Sequence, residues 1–174
     1  WGENVAILSG DAMLITAYKL LAELNPTKLP RVMRLFNDMA LEVCEGQQYD
    51  MDFENLSKVA VAEYMNMIEL KTSVLLAGSA MIGAILGDAS EEDCRQIYRY
   101  ALELGLAFQL QDDLLDSYGT EAQLGKAIGG DILEGKKTFL MISALNTLDE
   151  CERRELTSLH QRESLLPEQK IARA

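Results

Sequence analysis

Apolar residues recur along the chain at the three- and four-residue spacing of amphipathic helices, and short polar or glycine-containing segments interrupt them. This pattern predicts helices over residues 5–24, 31–48, 59–70, 72–86 and 91–118, followed by others after residue 137. The first is apolar nearly all round, so we expect it to lie deep in a bundle. The fifth begins with Ser90 as its N-cap and would be about 42 Å long at about 1.5 Å per residue.

The composition favours an all-α protein. Only 3 of the 174 residues are proline, and long stretches are rich in Ala, Leu, Met and Glu, which favour helices packed on helices. The sequence has no internal repeat, low-complexity tract or linker, so it predicts a single helical domain over residues 1–174. Within the second helix, Gly46 is interpreted as the residue that ends it.

The charge balance limits the classes of ligand. A formal net charge of −12 disfavours nucleic acid and anionic membrane surfaces, whereas a polyanionic ligand could still bind through divalent cations. The longest uncharged run, residues 72–87, is too short to span a membrane, so we predict a buried core helix and no integral membrane segment. The 3 cysteines show no pairing pattern and fit a reducing cytoplasm, and the single histidine excludes any site that needs two.

An acidic cluster near the end of the long helix is the sharpest chemical feature. Gln109, Asp112, Asp113 and Asp116 fall within an arc of about 100° around the helix, and Asp112 and Asp116 are one turn apart. Acidic clusters are often solvated helix faces. Here the helix enters the cluster from an almost wholly apolar segment, where neighbouring carboxylates need partners. Hard oxygen ligands at this spacing suit Mg²⁺.

A loop rich in glycine and lysine follows that helix, over residues 119–137. Its glycines permit close backbone approach, and its lysines are suited to phosphate oxygens. It is not a Walker A loop, because Lys137 rather than Ser or Thr follows Lys136. On its own it could be an ordinary surface loop, but its position after the acidic cluster indicates a phosphate ester held between Mg²⁺ and lysines.

Two shorter motifs precede the acidic cluster. Lys71 and Thr72 stand at the mouth of the most apolar helix, where they would be costly to bury without an anionic or polar partner. The alternative is that Lys71 extends to solvent and Thr72 caps the helix. The segment from Gly46 to Asp50 could likewise be no more than the end of a helix.

Together these motifs resemble the trans-isoprenyl diphosphate synthase, or polyprenyl synthetase, family. The resemblance lies in the order and spacing of four motifs: Gly46-Gln47-x-x-Asp50, Lys71-Thr72, Phe108-Gln109-x-x-Asp112-Asp113-x-x-Asp116 and Gly125-Lys126-x-x-Gly129-x-Asp131-x-x-x-Gly135-Lys136. Each motif alone is weak, whereas four in register over most of the chain are specific.

The resemblance implies an isoprenoid-synthase-like helical bundle around an apolar cavity, in which isopentenyl diphosphate condenses with an allylic prenyl diphosphate. It also implies Mg²⁺ as the cofactor and a homodimer. The implied metal residues are Asp112, Asp113 and Asp116. The implied diphosphate-binding residues are Lys71, Lys126 and Lys136, and the implied catalytic residues are Lys71, Thr72 and Gln109.

Two other classes of function stay open at this stage: a non-catalytic helical subunit or interaction module of the same fold, and a class I terpene cyclase. The intact acidic motif argues against the first, and the Lys71-Thr72 pair is not expected in the second. The family's first aspartate-rich motif and its upstream basic residues are absent, and Leu140 stands where many members have proline. We therefore expect a sequence that is incomplete at both ends, and a 174-residue piece that is inactive alone.

Overall fold

The computed structural model of this chain describes residues 2–56, 58–125 and 127–161. These residues form nine α-helices and one π-helical turn, with no strand among them. The elements are α1 (Glu3–Ala22), α2 (Leu29–Glu54), α3 (Val61–Ile68), the π turn (Glu69–Ser73), α4 (Val74–Leu86), α5 (Glu91–Tyr118), α6 (Glu121–Leu124), α7 (Gly130–Glu134), α8 (Phe139–Thr147) and α9 (Glu150–Gln161). The predicted all-α fold is confirmed.

The long helix α5 forms where the sequence predicts it. Ser90 Oγ accepts the backbone N–H of Asp93 at 3.1 Å, and the helix then runs for 28 residues to Tyr118. Its N-terminus also pairs with α2, because the Arg31 guanidinium binds the Glu91 carboxylate. The helix therefore begins at its own capping residue and is fixed there to a neighbouring helix.

Helix α2, in contrast, continues past Gly46 to Glu54, so the interpretation of Gly46 as a helix end is wrong. The reason is close packing against another helix. A Cβ atom at Gly46 would lie 2.3 Å from the backbone nitrogen of Lys71, a distance at which atoms clash. Glycine at this position serves helix–helix contact rather than termination.

The helix predicted over residues 59–70 runs into the one predicted over residues 72–86, and in the structure α3, the π turn and α4 form one continuous rod. At the end of the π turn, the N–H of Val74 donates to the carbonyl of Glu69, five residues earlier. Single π turns are rare in proteins, and those that are found lie frequently at functional sites. Helix α4 buries one face and leaves Leu75 and Leu76 exposed. It is therefore less buried than the core helix that the sequence predicts.

Two apolar clusters hold the helices together. One contains Val32, Ile85 and Cys94 and joins α2, α4 and α5. The other surrounds Tyr64 and Ile142 and joins α3 to α8 and to the C-terminal end of α2. The second cluster lies directly behind the polar residues described below, so it supports them with closely packed side chains.

Helix α1 does not lie inside the bundle, and that prediction is wrong. None of its residues is buried, and Ile7, Leu8 and Met13 are 63%, 66% and 74% exposed. Its C-terminal half packs on α2, where the ring of Tyr18 meets Phe36 edge to face at 5.3 Å. A helix that is apolar all round is buried only if other elements cover all of its faces. The described residues cover only one face of α1.

Two helical segments are long and apolar enough to cross a membrane by length and composition alone. They are α1 and the α3–α4 rod, and core helices of soluble proteins pass the same test.

Candidate functional site

A polar cavity of about 180 Å³ opens where α2, the α3–α4 rod, α5, α7 and the segment before α8 meet. Its lining carboxylates are Asp50, Asp112, Asp113 and Asp131, and its lining lysines are Lys71, Lys136 and Lys137. Five of the residues predicted from sequence line this cavity: Lys71, Gln109, Asp112, Asp113 and Lys136. The fold therefore brings together residues that are far apart in the chain.

The π turn directs Lys71 to this cavity. Lys71 Nζ lies 2.6 Å from Asp50 Oδ2, and the two side chains are only 31% and 17% exposed. Lys71 thus has a carboxylate partner in the cavity wall, and Thr72 lies within a continuous rod rather than at a helix N-cap. Asp50, the last residue of the Gly46-Gln47-x-x-Asp50 motif, is not among the site residues predicted from the sequence.

Glycines on two flanking helices approach the π turn. Gly46 of α2 faces the backbone of Lys71, and a Cβ atom at Gly105 of α5 would lie 2.6 Å from Ser73 Cα. No side chain separates the turn from either helix at these points. The position of Lys71 is therefore fixed by backbone contacts on two sides.

Asp113 is buried and bonded to neighbouring side chains. Its carboxylate accepts hydrogen bonds from the Tyr64 hydroxyl and, at 3.0 Å, from Gln109 Nε2. Gln109 Oε1 in turn accepts the Thr72 hydroxyl at 2.9 Å. Burial, followed by the hydrogen bond to Asp113, raises the pKa of Tyr64, so the tyrosine stays protonated and donates. Three residues predicted from sequence thus form one hydrogen-bonded chain.

Sequence reasoning missed Tyr64, the residue that completes this chain. It is only 2% exposed. Its spacing offered a signal, because it precedes Lys71 by two helical turns and so occupies nearly the same helix face. An isolated tyrosine in an apolar segment is usually a core residue, so the sequence alone does not indicate that the Tyr64 hydroxyl contacts the site.

Asp116 holds the glycine-rich segment instead of lining the polar cavity. Its Oδ2 accepts the Asp131 N–H at 3.0 Å, and its backbone carbonyl accepts the Gly129 N–H at 2.8 Å. Only 1% of its surface is exposed, whereas Asp112, one turn earlier, lines the cavity. The assignment of Asp112, Asp113 and Asp116 as metal residues stays a prediction.

The glycine-rich segment folds around the short helix α7. Gly129 and Gly135 flank this helix with φ of 79° and 73°, left-handed conformations that favour glycine. The turn after Gly135 brings Lys136 Nζ to 3.0 Å from Asp131 Oδ1 and 2.9 Å from Glu134 Oε2. Lys126, the other predicted lysine of this segment, lies outside the described residues.

The charges at this end of the cavity are strongly coupled. Partial burial disfavours the charge of Lys136, but its hydrogen bonds to Glu134 and Asp131 outweigh burial and raise its pKa. Burial raises the pKa of Asp131, and the nearby carboxylates of Asp116 and Asp113 add to this while Lys136 opposes it. Crowded carboxylates of this kind would be relieved by an additional cation.

Within the parts of the chain described above, no three Asp, Glu, His or Cys side chains form a complete metal-binding group. Mg²⁺ does not require one, because it commonly takes one or two protein carboxylates and completes its shell with water and substrate phosphates. The cavity supplies hard carboxylate oxygens beside lysines. This donor set fits Mg²⁺ bound together with a phosphate-bearing ligand.

The polyprenyl synthetase family model matches residues 1–173. This chain belongs to that family. It is 42% identical over 160 residues to the short chain isoprenyl diphosphate synthase of Methanocaldococcus jannaschii, covering 91% of this chain and 49% of that protein. It is 43% identical over 146 residues to the geranylgeranyl diphosphate synthase of Methanosarcina mazei, covering 83% and 45%. The chain thus spans about half the length of the curated relatives it matches.

Solved structures of polyprenyl synthetases share the fold. A crystal structure of a geranylgeranyl pyrophosphate synthase superposes with a TM-score of 0.90 at 43% identity, covering 99% of this chain and 53% of that one. A polyprenyl synthase from Caulobacter crescentus, crystallised with calcium and isoprenyl diphosphate, superposes with a TM-score of 0.89 at 28% identity, covering 99% and 52%. The predicted isoprenoid-synthase-like bundle is therefore confirmed.

Proposed function

We propose that the protein carrying this sequence is a prenyltransferase that condenses isopentenyl diphosphate with an allylic prenyl diphosphate, in a Mg²⁺-dependent reaction of isoprenoid biosynthesis. The observation that carries the proposal is the polar cavity, where lysines and aspartates from α2, the π turn, α5, α7 and the segment before α8 face one space. Relatives named isoprenyl and geranylgeranyl diphosphate synthases support the substrate class.

Binding of a diphosphate follows from the charges of the cavity. Lys71 and Lys136 belong to different elements, and each is paired with an aspartate in the structure. A diphosphate oxygen would compete with those aspartates for the ammonium groups, and released carboxylates such as Asp50 and Asp131 would gain from a divalent cation. Bound Mg²⁺ would neutralise the leaving diphosphate, with Asp112 as a cavity-lining ligand.

Stabilisation of positive charge falls to Thr72 and Gln109. Breaking the C–O bond of an allylic diphosphate leaves a cationic carbon, which is favoured by fixed oxygen dipoles. The hydroxyl of Thr72 and the amide of Gln109 are joined by a hydrogen bond of 2.9 Å, so their orientation is set before substrate binds. Preorganised dipoles cost no reorganisation during the reaction.

The setting of the protein is part of the same proposal. Cys44, Cys94 and Cys151 are all free thiols, which supports a cytoplasmic location. Homodimer formation would cover apolar side chains that the described residues leave exposed, such as those of α1. Gel filtration with light scattering would measure the oligomeric state directly.

The function is tested by incubating the purified protein that carries this sequence, rather than the 174-residue piece alone, with radiolabelled isopentenyl diphosphate, an allylic diphosphate and Mg²⁺. We expect label in a longer prenyl diphosphate, and loss of that product when EDTA is added or when Asp112 is changed to Asn. Lack of incorporation by wild-type protein with intact helical structure would contradict the proposal. A cyclic hydrocarbon formed from the allylic diphosphate alone would instead indicate a terpene cyclase.

A further inference from the structure

The hydrogen-bonded chain behind the polar cavity has a fixed polarity. The Asp113 carboxylate accepts a hydrogen bond from Gln109 Nε2 at 3.0 Å, so Asp113 faces the amide nitrogen of Gln109. The amide oxygen is thereby directed to Thr72, whose hydroxyl donates to it. If Asp113 turned away, the Gln109 amide could rotate and present its N–H₂ group where its oxygen now lies. The orientation of Asp113 therefore decides which end of the Gln109 amide meets Thr72.

We propose that Tyr64 is a positioning residue for the condensation reaction. Its hydroxyl donates to Asp113 Oδ2 and keeps the other carboxylate oxygen on Gln109, so that Gln109 and Thr72 present oxygen atoms to a cationic carbon. This inference rests on the proposed function, because a cationic carbon arises only when an allylic diphosphate ionises. Tyr64 acts through Asp113 and Gln109 rather than on the substrate.

The packing of Tyr64 explains how it can hold a carboxylate in place. Its ring belongs to the apolar cluster of Met67, Ile68 and Ile142, and it lies 6.3 Å from the ring of Phe139. The ring is therefore fixed by the core, while its hydroxyl reaches the edge of the cavity. A carboxylate alone is free to rotate about its last bond, since that torsion has a broad energy profile. The hydroxyl removes this freedom from Asp113.

A purely structural role for the Tyr64 hydroxyl makes a different prediction. If it only satisfied a buried carboxylate, its removal would lower the free energy of unfolding and leave turnover per folded molecule unchanged. If it positions Gln109, its removal lowers kcat while the ground-state affinity for an allylic diphosphate, which depends on lysines and Mg²⁺, is retained. Turnover and ground-state affinity measured on the same variant separate the two roles.

The test compares Tyr64→Phe with Tyr18→Phe in the protein carrying this sequence. Tyr18 is a matched control because its hydroxyl also donates to a side-chain oxygen, Asn37 Oδ1 at 2.7 Å, but on the exposed α1–α2 surface. We expect kcat to fall about 10–100-fold in Tyr64→Phe, since small misplacement of a reacting geometry costs this much. KM, and the Mg²⁺-dependent affinity for an unreactive thiolo analogue measured by calorimetry, should stay unchanged. Tyr18→Phe should match wild type.

A second variant, Asp113→Asn, tests the polarity directly and serves if Tyr64→Phe does not fold. Its amide oxygen can still accept from Tyr64, but its N–H₂ group would face the N–H₂ group of Gln109 and force that amide to turn. We expect the same fall in kcat. Combined with Tyr64→Phe it should add little further loss, because both changes disable one chain.

The outcomes separate this inference from the proposed function. Absence of condensation by wild-type protein overturns the proposed function and this inference with it. Condensation by wild type with an unchanged kcat in folded Tyr64→Phe overturns this inference alone. Additive losses in the double variant, or an Asp113→Asn variant with wild-type kcat, would equally overturn it.

Discussion

Replacement of Gly46 by alanine tests whether backbone contact holds the π turn in place. The new Cβ atom would lie 2.3 Å from Lys71 N, 2.7 Å from Lys71 Cα and 2.8 Å from the Leu70 carbonyl carbon. Ordinary contact begins at 3.4 Å, so α2 and the π turn would have to separate by about 1 Å. All three atoms belong to the backbone, and no change of side-chain rotamer relieves the clash.

The magnitude follows from two opposing effects. Overpacking of this kind costs about 1–3 kcal/mol, whereas alanine gains about 1 kcal/mol over glycine within a helix. Because the clash involves only backbone, we take the upper end of the cost and expect a net loss of about 2 kcal/mol in the free energy of unfolding. Displacement of Lys71 by about 1 Å should also lower turnover by up to about 100-fold.

Urea denaturation and steady-state turnover measure both effects on the same protein. Gly83→Ala is the matched control, because Gly83 also lies inside a helix but has no heavy atom within 4 Å of its would-be Cβ. That variant should gain about 0.5–1 kcal/mol and keep wild-type turnover. A Gly46→Ala protein with wild-type stability and turnover would refute the argument that close backbone contact fixes the site.

Three further predictions concern single side chains. Ser73→Ala should raise the free energy of unfolding by about 1 kcal/mol in urea denaturation, because Ser73 Oγ is buried without a hydrogen-bond partner among the described residues; a lower free energy of unfolding would contradict this. Glu42→Gln should raise the melting temperature at neutral pH but not well below pH 4.5. Burial and like charges raise the pKa of Glu42, so its contribution to stability declines as pH rises through that pKa; the like charges belong to Asp38, Glu45 and Glu69. Lys71→Ala should lower turnover by about 100-fold, whereas Lys28→Ala, at a surface pair with Asp88, should leave turnover unchanged.

The helices could be predicted from periodicity wherever the sequence itself sets their ends. Ser90 caps α5 with its own side chain, and that boundary was predicted correctly. Gly46 was misread because glycine can either end a helix or allow close packing, and only the position of Lys71 decides between the two. The π turn has no local signature, since it depends on contacts with α2 and α5. Local sequence rules thus predict where helices form, whereas tertiary contacts determine the features that depart from those rules, such as the helical Gly46 and the π turn.

The acidic motif shows the same limit at the site. Periodicity places Asp112, Asp113 and Asp116 in one arc of α5, which suggests the same role, metal binding, for all three. The structure separates them, because each meets a different neighbour: Asp112 lines the cavity, Asp113 accepts from Tyr64, and Asp116 accepts from the backbone of Asp131. Those neighbours lie 15 and 49 residues away in sequence from the aspartates they bind. The clustering of carboxylates in the motif was therefore predictable from its residues. The different contacts of the three aspartates depend on which residues the fold packs against each one.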